Sequence, residues 1–271
     1  MDGGHNDTEL HLAAQRGDLV AVKQILDKGH LEVVKELLKS TTKENISRKN
    51  RSGFDSLHIS ASQGHQARNG HTAVVLELLS RDSSMLEVPR SNGKNALHYT
   101  ARLGHLEIVK ALLEKDPQLA RRTDKKGQTA LHMAAKGESC DVVKLLLDAD
   151  PAIIMLPDKF GNTALHVATR KKRAEIVREL LHLPDTNVNA LTRDRKTPLD
   201  IADGLDVSEE STEIRECLAR CGAILANELN QARDELKKIV SQIKKDVRTQ
   251  FEQIRETNKD ITGYFQINTY M

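Results

Sequence analysis

Leu131, Ala134 and Ala135 stand at helical spacing, and after a turn at Gly137 a second apolar stripe follows in Val142, Val143, Leu145, Leu146 and Leu147. The pattern predicts two short amphipathic helices joined by a tight turn. Ahead of them Asp124-Lys125-Lys126-Gly127 is turn chemistry, with Gly127 free to adopt positive φ. Thr129 is placed to cap the first helix. Neither helix can bury its stripe alone. The cycle then returns: Asn95-Ala96-Leu97-His98, Thr129-Ala130-Leu131-His132, Thr163-Ala164-Leu165-His166 and Thr197-Pro198-Leu199-Asp200 put their leucines 34 residues apart each time. A fixed period of this length predicts stacked helix pairs, an all-α solenoid with a long concave recognition surface. In such a stack Leu131→Ala is expected to cost ~2–5 kcal/mol.

The period loosens toward the N-terminus. Leu57-His58 and Leu10-His11 continue the series at wider gaps. Gly17 to Lys28 is followed at once by Gly29 to Ser40, which reads as two second helices with no first helix between them. The array is expected to be regular from about Ser91 and irregular before it. At the other end Asp200 stands in the histidine position and Gly204 to Ser211 lengthens the linker, the atypical character expected of a terminal unit.

From Ile224 the period changes to seven. Leu229, Leu236 and Ile243 form one series, and Val240, Val247, Ile254 and Ile261 another. Arg233, Gln250 and Thr257 weaken this heptad seam, and Lys237, Lys238, Lys244, Lys245 and Arg248 make its middle basic. Leu229, Leu236, Val240, Ile243, Val247 and Ile254 are the candidate self-association residues. Three roles are open for this helix: self-association, docking on the repeats, or a stalk. A helix of this kind is marginal alone, which implies a partner surface. The divisions read from the chain are about six units over 6–223, a heptad helix over 224–262 and a disordered tail over 263–271.

Composition narrows the function. Aromatics are 3% and Trp is absent, which suits stacked Leu, Val and Ala helices better than one large core. Charged residues are 30% with a net charge of +2, so nucleic acid is not an expected partner. Three cysteines suggest a reducing compartment. No secretory leader is visible, and the longest apolar run, Ala152 to Leu156, is far short of a membrane span. The chain as it stands is expected to be cytoplasmic.

Eleven histidines invite a metal reading. A zinc site needs three or four ligands converging on one point, whereas His11, His58, His98, His132 and His166 occur one per unit and fall in a row. No metal and no cofactor is expected. No GxSxG, Walker loop, HExxH or kinase set occurs, so no catalytic residue is assigned. Cys217 and Cys221 lie four apart on a helix, where both could face one side, and read as buried inert thiols. The remaining candidates belong to a partner surface. Arg170-Lys171-Lys172-Arg173 replaces a Gly-His turn, and Lys125 and Lys126 lie one unit earlier. Aligned turns of this kind suit an acidic partner or an anionic membrane surface, or they are simply solvated. Phe160 occupies a turn where its counterparts are polar, either as an exposed anchor or packed on the adjacent turn.

The T-A-L-H-x-A strings resemble the ankyrin repeat, with Ala or Ser in place of Pro at several positions. The resemblance implies β-turn fingers on helix-turn-helix units, and a repeat histidine that holds the turns by hydrogen bonds. Asn227 to Lys259, with Asp124 to Gly137 and Leu156 to Val177, is similar to plant ankyrin-repeat membrane proteins with a C-terminal PGG domain. This is the increased-tolerance-to-salt and accelerated-cell-death type. That resemblance implies an ankyrin domain in the cytosol, tethered at the plasma membrane, and roles in salt-stress, reactive-oxygen or defence signalling. The apolar segments with which that family continues are not seen after Gly263, so membrane insertion is not expected of this chain. The expected function is a non-enzymatic protein–protein interaction scaffold. The alternative is a truncated regulatory form that pairs with full-length, membrane-anchored members through the C-terminal helix.

Overall fold

The computed structural model describes residues 68–86 and 89–268, together with Lys35, Leu57, His58 and Ala61. The expectations for residues 1–56, including the doubled second helix, lie outside the described residues except at Lys35, whereas Leu57 and His58 are helical and buried. The described residues hold ten α-helices: α1 (Arg68–Arg81), α2 (Ala96–Leu103), α3 (Leu106–Lys115), α4 (Ala130–Ala134), α5 (Cys140–Ala149), α6 (Ala164–Arg170), α7 (Ala174–Leu181), α8 (Pro198–Asp203), α9 (Glu209–Arg220) and α10 (Ala226–Asn268). No strand occurs among them. They fall into two compact units that part between Ala223 and Ile224.

In the first unit the 34-residue period becomes geometry. The first helices stack in order, α2 on α4, α4 on α6 and α6 on α8; the second helices do the same through α1, α3, α5, α7 and α9. Leu97, Leu131 and Leu165 are buried at 1%, 0% and 3% exposure, and all three belong to one continuous core. The alanines beside them, Ala101 and Ala135, are equally buried and small enough for the helices to approach closely. Short 3-10 turns at Pro117–Arg121 and Pro151–Met155 close successive units, each capped by an aspartate. The solenoid expected from the period is therefore the fold of this unit.

Between units the chain makes a tight turn, and these turns are bonded to one another. The amide of Lys125 donates to the carbonyl of Asn92 at 3.0 Å, Lys159 to Lys126 at 2.9 Å, and Arg193 to Phe160 at 2.9 Å. Gly161 shows what the stacking demands. Its φ is +78°, and a Cβ there would lie 2.8 Å from the amide nitrogen of Arg193. In the last turn Arg195 takes the same left-handed conformation, φ 56°, without being glycine. The next 34-residue step falls inside α10, so no further turn of the array follows it.

The second unit is one helix of 43 residues. It runs to Asn268, past the expected end at 262, so 263–268 are helical where a disordered tail was expected. No proline interrupts this stretch, and a lone Gly263 costs only about 1 kcal/mol, too little to stop a helix already propagating. Residues 269–271 lie outside the described residues. Leu236, Val240, Ile243, Val247 and Ile254 are exposed, and Leu229 is half-buried. Among the described residues no helix is long and apolar enough to cross a membrane.

Candidate partner-binding site

The turns owe their shape to a polar network that repeats with the units. Thr129 precedes α4, and its amide donates to Nδ1 of His132 at 3.2 Å, with its hydroxyl 2.9 Å from the same nitrogen. The other ring nitrogen, Nε2, donates to the carbonyl of Asn162 in the next turn at 2.8 Å. One histidine thus caps its own helix and fastens the following unit. His98 repeats the bond to the carbonyl of Gln128 at 2.9 Å, and His166 to Ala190 at 3.0 Å. At His132 and His166, where a threonine amide donates to Nδ1, these geometries require the neutral ring with its proton on Nε2. Burial lowers the pKa of His98 and of His166 to about 4 and depresses that of His132, so the rings stay neutral at physiological pH. In the last unit Asp200 still caps, accepting from the Thr197 amide at 2.7 Å, but a carboxylate has no proton to donate onward.

A second set of bonds was not legible in the sequence. Asp124 and Asp158 sit buried at the start of their turns. Oδ1 of Asp124 accepts from the amides of Lys126 and Gln128, while Oδ2 accepts from Nζ of Lys94 in the preceding unit at 2.7 Å. Asp158 repeats this, with Phe160 and Asn162 as amide donors and Gln128 reaching across from the unit before. Burial raises the pKa of Asp124, but the Lys94 and backbone hydrogen bonds outweigh it and leave the group below its ordinary value. The 30-residue offset from Lys94 to Asp124, and from Gln128 to Asp158, is the only sequence trace of the network.

The structure divides the candidate residues between two places. Lys125, Lys126 and Phe160 lie on successive turns and are exposed, Phe160 at 56%. It does not bury itself on the adjacent turn. Arg170 to Arg173 lie at the opposite end of α6. Arg170 reaches back toward the turn, its Nη2 donating to Asn162 Oδ1 at 2.9 Å. Lys172 adopts φ 56°, standing where a glycine serves in the unit of Gly104, and pairs with Asp206. Arg173 pairs with Glu138 at 2.9 Å, and Lys171 is exposed. The four consecutive cations are therefore not one patch: Arg170 belongs to the face of turns and first helices, and Lys172 and Arg173 to ion pairs of the loop. Nor are Cys217 and Cys221 a buried pair, since Cys217 is buried and Cys221, at the helix end, is exposed.

Helix pairs that stack in register, joined by turns bonded amide to carbonyl, define a repeat protein with an extended surface available for recognition. The chain belongs to the ankyrin-repeat family. Models of ankyrin repeats match residues 65–155 (three copies) and 146–202 (many copies). It is similar to ankyrin repeat-containing protein ITN1 of Arabidopsis thaliana, 56% identical over 96% of this chain and 56% of that protein. It is also similar to ankyrin repeat-containing protein NPR4 of Oryza sativa subsp. japonica, 50% identical over 97% of this chain and 57% of that protein. The chain thus spans a little over half the length of these relatives. The first alignment covers 338 positions against a chain of 271 residues, so the relative carries stretches within the matched region that have no counterpart here.

Proposed function

We propose that the chain is a non-enzymatic scaffold that captures a protein partner on the concave face made by the turns and first helices. The observation that carries this reading is the ladder of turns. Their backbones bond to one another through Lys125, Lys159 and Arg193, while the side chains of Lys125, Lys126 and Phe160 remain exposed in sequence along the array. A preorganised surface of this kind loses little entropy on binding, and an exposed aromatic among polar neighbours is a common anchor. Arg170 extends the same face from α6. The similarity to the Arabidopsis and rice proteins supports a role in plant salt-stress, reactive-oxygen or defence signalling, in the cytosol.

The test is capture from a plant extract by the immobilised chain, with and without residues 227–271. Retention of the same protein by both forms supports the scaffold. Loss of all capture by the shortened form contradicts it.

A second reading draws on α10, whose Leu236, Val240, Ile243, Val247 and Ile254 are apolar and exposed along one stripe. On this reading the helix pairs with longer members of the family and regulates them. Self-association or capture of a longer relative that disappears with residues 227–271 favours it.

A further inference from the structure

We infer that the partner of the turn-and-first-helix face is an acidic segment in extended conformation, with acidic side chains about three residues apart. The inference rests on the scaffold reading and adds the chemistry of what is bound.

Two rows of cations run along this face. One row, Lys125, Lys159 and Arg193, places one basic residue on each of three successive turns, and all three are exposed. The other, Arg102, Lys136 and Arg170, places one at the end of each successive first helix. Both rows keep the 34-residue period, so stacking sets their members side by side. Lys136 and Arg170 lean back toward the turns: Nζ of Lys136 donates to Gln128 Oε1 at 2.6 Å, and Nη2 of Arg170 to Asn162 Oδ1 at 2.9 Å. None of the six forms a salt bridge among the described residues, although the chain as a whole is nearly neutral at +2. The buried acids of the turns do not neutralise these rows, because Asp124 and Asp158 are committed to turn amides and to Lys94 and Gln128. Asp194 in the last turn is the exposed exception.

Like charges held together on a rigid face raise one another's energy, and Lys136 records this. Burial first, then Lys94 and Arg102, bring its pKa down to about 8. An anionic partner relieves the repulsion, and charge complementarity fixes register as well as sign. Packed helices lie ~10 Å apart, and an extended chain advances ~3.3 Å per residue. Successive acids therefore meet successive units when about two residues separate them.

The test uses three fluorescent peptides and the full chain. One peptide is a run of about five Asp-Gly-Ser triplets; the second has the same composition with the aspartates in a block; the third replaces Asp by Asn. The spaced acidic peptide is expected to bind best, more weakly as salt rises, and the Asn peptide not at all. Neutralising the turn row, as Lys125→Ser, Lys159→Ser and Arg193→Ser together, is expected to weaken binding at least about tenfold. These side chains are exposed, so folding is preserved; Arg102→Gln with Arg170→Gln is the second variant, and thermal unfolding is followed for both. Equal binding of the Asp and Asn peptides, or equal affinity of both variants and the parent, overturns the inference. So does capture of phosphatidylserine vesicles with no binding of the acidic peptides, which assigns the rows to a membrane surface. A partner taken from plant extract equally well by parent and variants leaves the scaffold standing and removes the acidic partner.

Discussion

His132 Nε2 lies 2.8 Å from the carbonyl oxygen of Asn162, thirty residues along the chain and in the next unit. The same ring accepts from the amide of Thr129 at its own helix start. His132→Ala removes both bonds, which leaves the buried Thr129 amide without its acceptor and the Asn162 carbonyl with only the Asp158 amide. We expect a loss of about 2–4 kcal/mol in urea unfolding. His132→Gln should recover part of it.

Acidification should loosen the array. His98 and His166 have pKa values of about 4 in the fold against 6.5 unfolded, and His132 is also lowered. The unfolded chain therefore binds protons first. The stability these groups hold is complete above pH 6.5 and is lost as pH falls toward 4, by about 3 kcal/mol for each of His98 and His166. Asp124 and Asp158, also lowered, add to the loss at still lower pH. Melting temperatures measured from pH 7 to pH 4 should fall steadily; an unchanged midpoint at pH 5 contradicts this account.

The two left-handed turn positions should respond in opposite directions. Gly161→Ala forces a side chain onto positive φ and against the Arg193 amide, and should destabilise by about 1–3 kcal/mol. Arg195→Gly relieves the strained φ of 56° where no later turn of the array is stacked, and should be neutral or stabilising by up to about 1 kcal/mol. Paired denaturant titrations decide both.

Phe160→Ala should weaken partner capture without lowering helicity, because the side chain is 56% exposed while its backbone makes the bonds of the ladder. Anchor residues of this type typically account for about 2 kcal/mol or more of binding. Far-ultraviolet circular dichroism and a quantitative pull-down measure the two quantities separately.

Much of the array could be read directly from the chain. The leucine period gave the stack, Thr129 and Gly127 gave cap and turn, and the departure at Asp200 marked the last unit. What escaped reading depends on distances across the stack rather than along the chain. The bonds from Lys94 to Asp124 and from Gln128 to Asp158 exist only because consecutive turns lie in contact, and neither residue type announces it. Arg170 to Arg173 looked like one basic patch because they are consecutive; a helix end and a tight turn send the side chains to different neighbours. Cys221 keeps the four-residue helical bond to the Cys217 carbonyl but stands at the helix end, where its side chain is exposed while that of Cys217 is buried.

The central claim, that the turn face captures the partner, is tested most directly by photo-cross-linking. A photoreactive side chain is placed at Phe160 on the turn face, and in a second protein at Lys110, exposed on the second helix α3. Both are mixed with plant extract. The account predicts a discrete adduct from position 160 and none from position 110. An adduct formed from position 110 alone would contradict it.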